Sequence, residues 1–250
     1  MPRYALLLAY DGGAFAGWWR QPDQRTVAGE LDAALARLGE AAAEATGASR
    51  TDAGVHARGQ LAHVDLRRTW DSADLARRLN GHLPADLACR GAAAVDDGWH
   101  AVHGVRRKTY RYRVATVRDP FVAATAWFPP STLDPAILHT CAGLAPGQRD
   151  WAAFVRRGDH RADTTHLLRV CRWRTRGALW TCDLTADGFI YRLARSLVGG
   201  MVLAARGGCS VADWSAALAG ERRPAATQQA PAHGLCLERV VHRRPPGWCI

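Results

Sequence analysis

The chain has 250 residues, 48% of them hydrophobic and 22% charged, a balance that supports a sizeable core and excludes disorder, collagen-like repeats and a disulfide-stapled miniature. The most apolar stretch, Leu197 to Ala205, lies between Arg195 and Arg206 and falls far short of the ~18 residues that a membrane helix needs. Net charge is +10, with Lys108 the only lysine among 33 basic residues. The arginine bias resembles that of a GC-rich coding sequence, but the excess of base over acid favours a polyanionic partner such as nucleic acid.

The apolar run Arg3 to Tyr10 reads as a strand closed by the turn Asp11-Gly12-Gly13. A signal-peptide reading fails because Asp11 interrupts the run and no small-residue cleavage site follows. Thr26 is a plausible cap for a helix carrying Val27, Leu31, Leu35 and Leu38 up to Gly39. Gln60 to Leu66 reads as a second strand, Asp71 to Asn80 as a short helix, and Leu87 to Val95 as a third strand. Thr109 to Val117 reads as a strand with Tyr110, Tyr112 and Val114 on one face and Arg111 and Arg113 on the other.

A helix follows between Asp134 and Leu144. Leu168 to Arg174 and Leu179 to Thr185 form a hairpin over Thr175 to Ala178, helices cover Gly188 to Arg206 and Val211 to Leu218, and Gly234 to Val241 is a last strand. The pattern predicts an α+β fold with mostly antiparallel sheet in two halves, 1–105 and 106–250. Cys89, Cys141, Cys171, Cys182, Cys209, Cys236 and Cys249 never form a Cys-x-x-Cys pair. Such cysteines imply reduced thiols in a cytoplasmic protein. The ten histidines lack metal-ligand spacing, which leaves a metal site possible but unsupported.

Three segments are candidates for chemistry. The first, Ala48 to Ala57, is a polar loop in which Asp52 reads either as a turn residue bonding its own backbone or as a nucleophile. In the second reading Arg50 pairs with the carboxylate and amides near Gly54 orient it. The next, Val102 to Arg118, holds Arg106, Arg107, Lys108, Arg111, Arg113 and Arg118 without an acid, interleaved with Tyr110 and Tyr112. It suits single-stranded nucleic acid, or is a half-buried strand with a solvated arginine face. The last places Arg192 and Arg195 on neighbouring helical turns before Gly199-Gly200, which admit an anion or simply a packed neighbour. The Trp18-Trp19 pair reads as packing.

Taken together, these motifs resemble one family, the tRNA pseudouridine synthases of the TruA type. The match runs through Tyr10-Asp11-Gly12, Gly17-Trp18, Gln21-Pro22, Thr26 to Leu31 and, most specifically, Arg50-Thr51-Asp52-Ala53-Gly54-Val55-His56-Ala57. It continues through Leu79-Asn80, Leu83-Pro84, Tyr110-Arg111-Tyr112, Asp150 to Phe154, Gly188-Phe189 with Arg195, and Ala230 to Leu235. The resemblance implies two ferredoxin-like halves sharing a mostly antiparallel central sheet, a homodimer without metal or organic cofactor, and tRNA as partner. It makes Asp52 the catalytic aspartate, Tyr110 the ring that packs on the target base, Arg50 and Arg195 arginines of the cleft, and Leu235 an apolar pocket residue. Departures at Trp19, Ser49, Val102 and Ser196 leave Asp52, Tyr110 and Arg195 untouched.

The implied reaction breaks the uridine N1–C1′ bond, turns the base and joins C5 to C1′, consuming no water, electrons or nucleotide. A free aspartate, with a reference pKa of ~3.9, is already ionised at neutral pH and needs no activating base. The target must leave its stack to be reached. The family analogy points to uridines near positions 38 to 40 of the anticodon stem-loop. The rival expectation is a non-catalytic RNA-binding or tRNA-chaperone protein on the same fold.

Overall fold

Alternation along the N-terminal run produces strand β1 (Arg3–Tyr10), with Tyr4, Leu6, Leu8 and Tyr10 buried on one face. A computed structural model describes residues 1–154, 164–221 and 229–248; Cys249 lies outside them. Helix α1 (Val27–Arg37) starts where the Thr26 side chain accepts from the Gly29 amide. Strand β2 (Thr46–Gly47), too short to show periodicity, precedes β3 (His56–Asp65). This strand begins four residues before the expected Gln60, because Ala57 already pairs with Tyr10. Helix α2 (Ser72–Asn80) is capped by Asp71, and β4 (Leu87–Val95) has the expected bounds.

Strand β5 (Val105–Ala115) buries Tyr110, Tyr112 and Val114 on one face, as its alternation requires. Helix α3 (Pro135–Leu144) is capped by Asp134 and followed by the short strand β6 (Gly147–Asp150). The expected hairpin is β7 (Thr165–Arg174) and β8 (Leu179–Ala186). Helix α4 (Leu193–Ala205) starts five residues later than expected: Arg192, at its N-cap, adopts a left-handed φ of 64°, which a continuous helix excludes. Arg192 therefore lies outside the helix, its guanidinium 4.6 Å from the centre of the Tyr191 ring. Helix α5 (Val211–Leu218) opens on a Ser210–Asp213 capping box, and β9 (Leu235–His242) follows.

The chain forms two compact units, one comprising Met1–Arg106 with the chain from Cys236 onward, the other Arg107–Leu235. In the first, the strand order is β4-β1-β3-β9, with β2 on β3; all pairs are antiparallel except β3–β9. Val27, Leu31 and Leu35 of α1 and Leu75 and Leu79 of α2 are buried; truncating such a leucine to alanine costs roughly 2–5 kcal/mol. A second cluster, Ala5, Ala48, Leu61, Trp99 and Ala101, draws on the alternate side chains of β1 and β3.

The second unit orders its strands β5-β8-β7-β6, all antiparallel. The Trp173 indole of β7 donates to the Met201 sulfur of α4 at 3.4 Å, and the Trp214 indole of α5 donates to the Cys141 carbonyl of α3 at 2.9 Å. Gly200 is required here, since a Cβ at this position would lie 2.6 Å from the Trp214 ring. Of the two offered uses of Gly199-Gly200, Gly200 serves helix packing.

Among the described residues, nine strands and five helices make the expected α+β fold with mostly antiparallel pairing. No helix among them is long and apolar enough to cross a membrane.

Candidate active site

The loop joining β2 to β3 carries Arg50 and Asp52, and its backbone is tied down at almost every step. Ala48 donates to the Leu61 carbonyl at 2.7 Å, the Trp18 amide to the Thr51 carbonyl at 3.0 Å, and the Gly54 amide to the Phe15 carbonyl at 3.3 Å. The Val55 amide closes a turn on the Asp52 carbonyl at 3.1 Å. Gly12 packs so tightly on this loop that a Cβ would lie 2.1 Å from the Val55 carbonyl oxygen. Its amide donates to His56 Nδ1 at 3.1 Å, with Asp11 Oδ1 3.0 Å from the same nitrogen. The backbone is thereby fixed while the Asp52 side chain stays half-buried.

The amides of Gly54 and Val55 go to backbone carbonyls and hold the loop. One expectation for this loop is corrected. Arg50 is exposed and stacks over the Trp19 ring, 4.4 Å from its centre, instead of pairing with Asp52. The Trp18-Trp19 pair divides accordingly: Trp18 is fully buried and Trp19 is half exposed, with Arg50 on its face.

In the second unit, Tyr110 meets Phe189 edge to face, ring centres 5.0 Å apart. Arg195, in the first turn of α4, donates from Nε to the Ala230 carbonyl at 2.8 Å, and Ala230 returns its amide to the Arg195 carbonyl at 3.1 Å. The next residues are held by Tyr112, whose hydroxyl donates to the Pro231 carbonyl at 2.8 Å. Leu235 is buried where this segment becomes β9. Burial pushes the Tyr112 phenol far up, so it stays protonated and serves as a donor. The sequence offers Tyr112, with Tyr110, as a ring for nucleic acid; it is instead fully buried, and its hydroxyl ties down the Pro231 segment.

The basic run divides between its exposed ends and its middle. Arg106, Arg107 and Arg118 are exposed. Arg111 instead grips Asp183 across the β5–β8 register, and Arg174 of β7 binds the same carboxylate. Burial pushes the Asp183 carboxyl up, but the hydrogen bonds from both arginines prevail and hold it below the usual carboxylate range. Elsewhere, His63, His100 and His103 stack in sequence, with ring centres 4.5 and 4.2 Å apart. Among the described residues, no three His, Cys, Asp or Glu side chains gather as a metal requires.

A family model described as tRNA pseudouridine synthase matches residues 7–103 and 144–242. The chain belongs to the tRNA pseudouridine synthase family. Relatives named tRNA pseudouridine synthase A include one from Frankia casuarinae, 40% identical over 98% of this chain and 90% of its own. Another, from Roseobacter denitrificans, is 36% identical over 98% and 97%. A third, from Picosynechococcus, is 33% identical over 97% and 90%. The first model segment contains the whole Arg50–His56 string of this family member, and the second contains Arg195 and Leu235.

Proposed function

We propose that this chain is an isomerase converting uridine to pseudouridine in tRNA, at positions 38 to 40 of the anticodon stem-loop, with Asp52 as the catalytic residue. The observation that carries this reading is Asp52 itself: a half-buried carboxylate on a pinned loop, inside the family's most specific string, in a chain matched over nearly its full length. A carboxylate serves an isomerisation that needs a nucleophile or ion-pair partner for C1′ or C6 but no redox or hydrolytic group. The N1–C1′ bond breaks, the base turns, C5 joins C1′, and the C5 proton is lost while N1 is protonated.

Tyr110 supplies a ring for the flipped base, Arg50 and Arg195 bind substrate, and Leu235 adds apolar lining. The protein acts in the cytoplasm as a homodimer, without metal or organic cofactor. Incubating the purified protein with unmodified tRNA transcripts and mapping pseudouridine tests the reading. Product at positions 38 to 40 supports it; binding of tRNA without any product favours the RNA-binding or chaperone alternative.

A further inference from the structure

Gln60 stands in the middle of β3 with its side chain completely buried. A buried side-chain amide is costly unless its oxygen and both N–H groups find partners. Here they do, and the partners converge on one short segment. Gln60 Oε1 accepts from the Ser49 amide at 3.2 Å, and Gln60 Nε2 donates to the Ser49 carbonyl at 2.6 Å. The side chain thus meets a residue of the loop as a neighbouring strand's backbone would, just beyond the point where the β2–β3 ladder stops at Gly47.

The second Nε2 hydrogen points to the Tyr10 hydroxyl at 3.3 Å, which lies 2.9 Å from Thr51 Oγ1. Gln60 donates to Tyr10, and either hydroxyl of the Tyr10–Thr51 pair can donate to the other. Ser49 and Thr51 are therefore both anchored from inside, on either side of Arg50, and Thr51 is the residue before Asp52. Tyr10, Ser49, Thr51 and Gln60 are all buried, so water does not compete for these bonds.

We propose that Gln60 and Tyr10 are positioning residues that set where the Asp52 carboxylate stands, rather than filling core space alone. This rests on the reading of Asp52 as the catalytic residue. A misplacement of about 1 Å at a reacting group can cost on the order of a hundredfold in rate. The expected signature is in kcat, since Tyr10 and Gln60 have no route to tRNA from the interior.

The test measures single-turnover rate, KM for a tRNA transcript and unfolding midpoint for wild type, Tyr10→Phe, Gln60→Glu and Thr51→Ser. Tyr10→Phe keeps the ring but removes the bridging hydroxyl, and is expected to lower kcat at least tenfold with KM within twofold. Thr51→Ser retains the terminal hydroxyl and should keep near-wild-type turnover. Gln60→Glu, when ionised, still accepts from Ser49 but has nothing to donate; protonation restores one donor. Its activity per folded molecule, relative to wild type, should rise as pH is lowered, whereas a purely structural role changes only the folded fraction. Equal turnover per folded molecule in Tyr10→Phe and wild type overturns the inference while leaving the proposed function intact. A wild-type protein that makes no pseudouridine overturns the function itself. Tyr10→Phe carries the test alone if Gln60→Glu does not fold.

Discussion

Arg111 and Asp183 sit directly opposite each other on β5 and β8, and the Arg111 guanidinium reaches both oxygens of the carboxylate, at 2.7 and 3.1 Å. A bidentate pair of this kind fixes the arginine's direction as well as its charge. Arg174 shares the same carboxylate from β7. One acid thus stitches three strands on the face away from Tyr110.

Asp183→Asn should therefore destabilise the protein by about 1–2 kcal/mol, between the value of a surface pair and that of a buried one, because both arginines are partly solvated. The carboxyl is held below its ordinary range, so its stabilisation is present above pH ~4 and is lost as pH falls through the lowered folded-state value. Urea unfolding of wild type and mutant at pH 7 and near pH 2 checks this: the difference should shrink in acid, and a constant difference would contradict the pairing.

His63 predicts a different acid response. Burial, with His100 and Arg3 nearby, lowers its pKa from 6.5 to about 4. The unfolded chain takes up this proton first, so stability falls as pH drops from 6.5 towards 4, by at most about 3 kcal/mol from this group. His63→Gln, which keeps an acceptor near the Ala101 amide, should flatten that slope in chemical denaturation between these pH values.

Replacing Asp52 by asparagine should abolish pseudouridine formation while the unfolding midpoint and tRNA affinity stay close to wild type. The loop's backbone is held by bonds with Phe15, Trp18 and Leu61 and by the turn from Val55 to Asp52, all of which asparagine leaves in place. Turnover above trace wild-type contamination would falsify the role given to Asp52.

For Tyr110, phenylalanine should preserve more activity than alanine. Phe retains both the edge-to-face contact with Phe189 and a surface for the base, a contact worth ~1–3 kcal/mol. Equal loss in both mutants, at normal tRNA affinity, reassigns the phenol to acid–base chemistry.

Salt titration of tRNA binding separates the arginines of the basic run. Arg106→Ala and Arg107→Ala should each reduce the slope of log affinity against log salt by roughly one. Arg111→Ala should leave the slope alone and lower stability, its charge being engaged by Asp183. Unchanged slopes for Arg106 and Arg107 would place the run outside the RNA footprint.

The contrast between Arg106 and Arg111 shows what the sequence carries and what it withholds. Alternation is local, so the opposite directions of Tyr110 and Arg111 are legible, whereas Asp183 lies 72 residues further on and no periodicity announces it. Helices α1, α2, α3 and α5 are legible because Thr26, Asp71, Asp134 and Ser210 cap them. The start of α4 is not, since Arg192 ends the pattern through its backbone alone. Asp52 stands out because its string is contiguous. Gln60 does not, because its meaning comes from the register of β3 with the loop.

The parallel pairing of β9 with β3 at His56↔Cys236 and Ala57↔Leu237 carries a consequence for biosynthesis. His56 and Ala57 directly follow the aspartate loop, so the strand beside them emerges from the ribosome only after all of Arg107–Leu235 has been made. A nascent chain holding Asp52 and everything up to the end of α5 still exposes an open edge at β3. Vectorial synthesis thereby keeps the carboxylate's support unfinished until β9 is translated, and a transcript truncated before codon 236 yields a protein whose aspartate loop runs into a strand start paired with β1 alone.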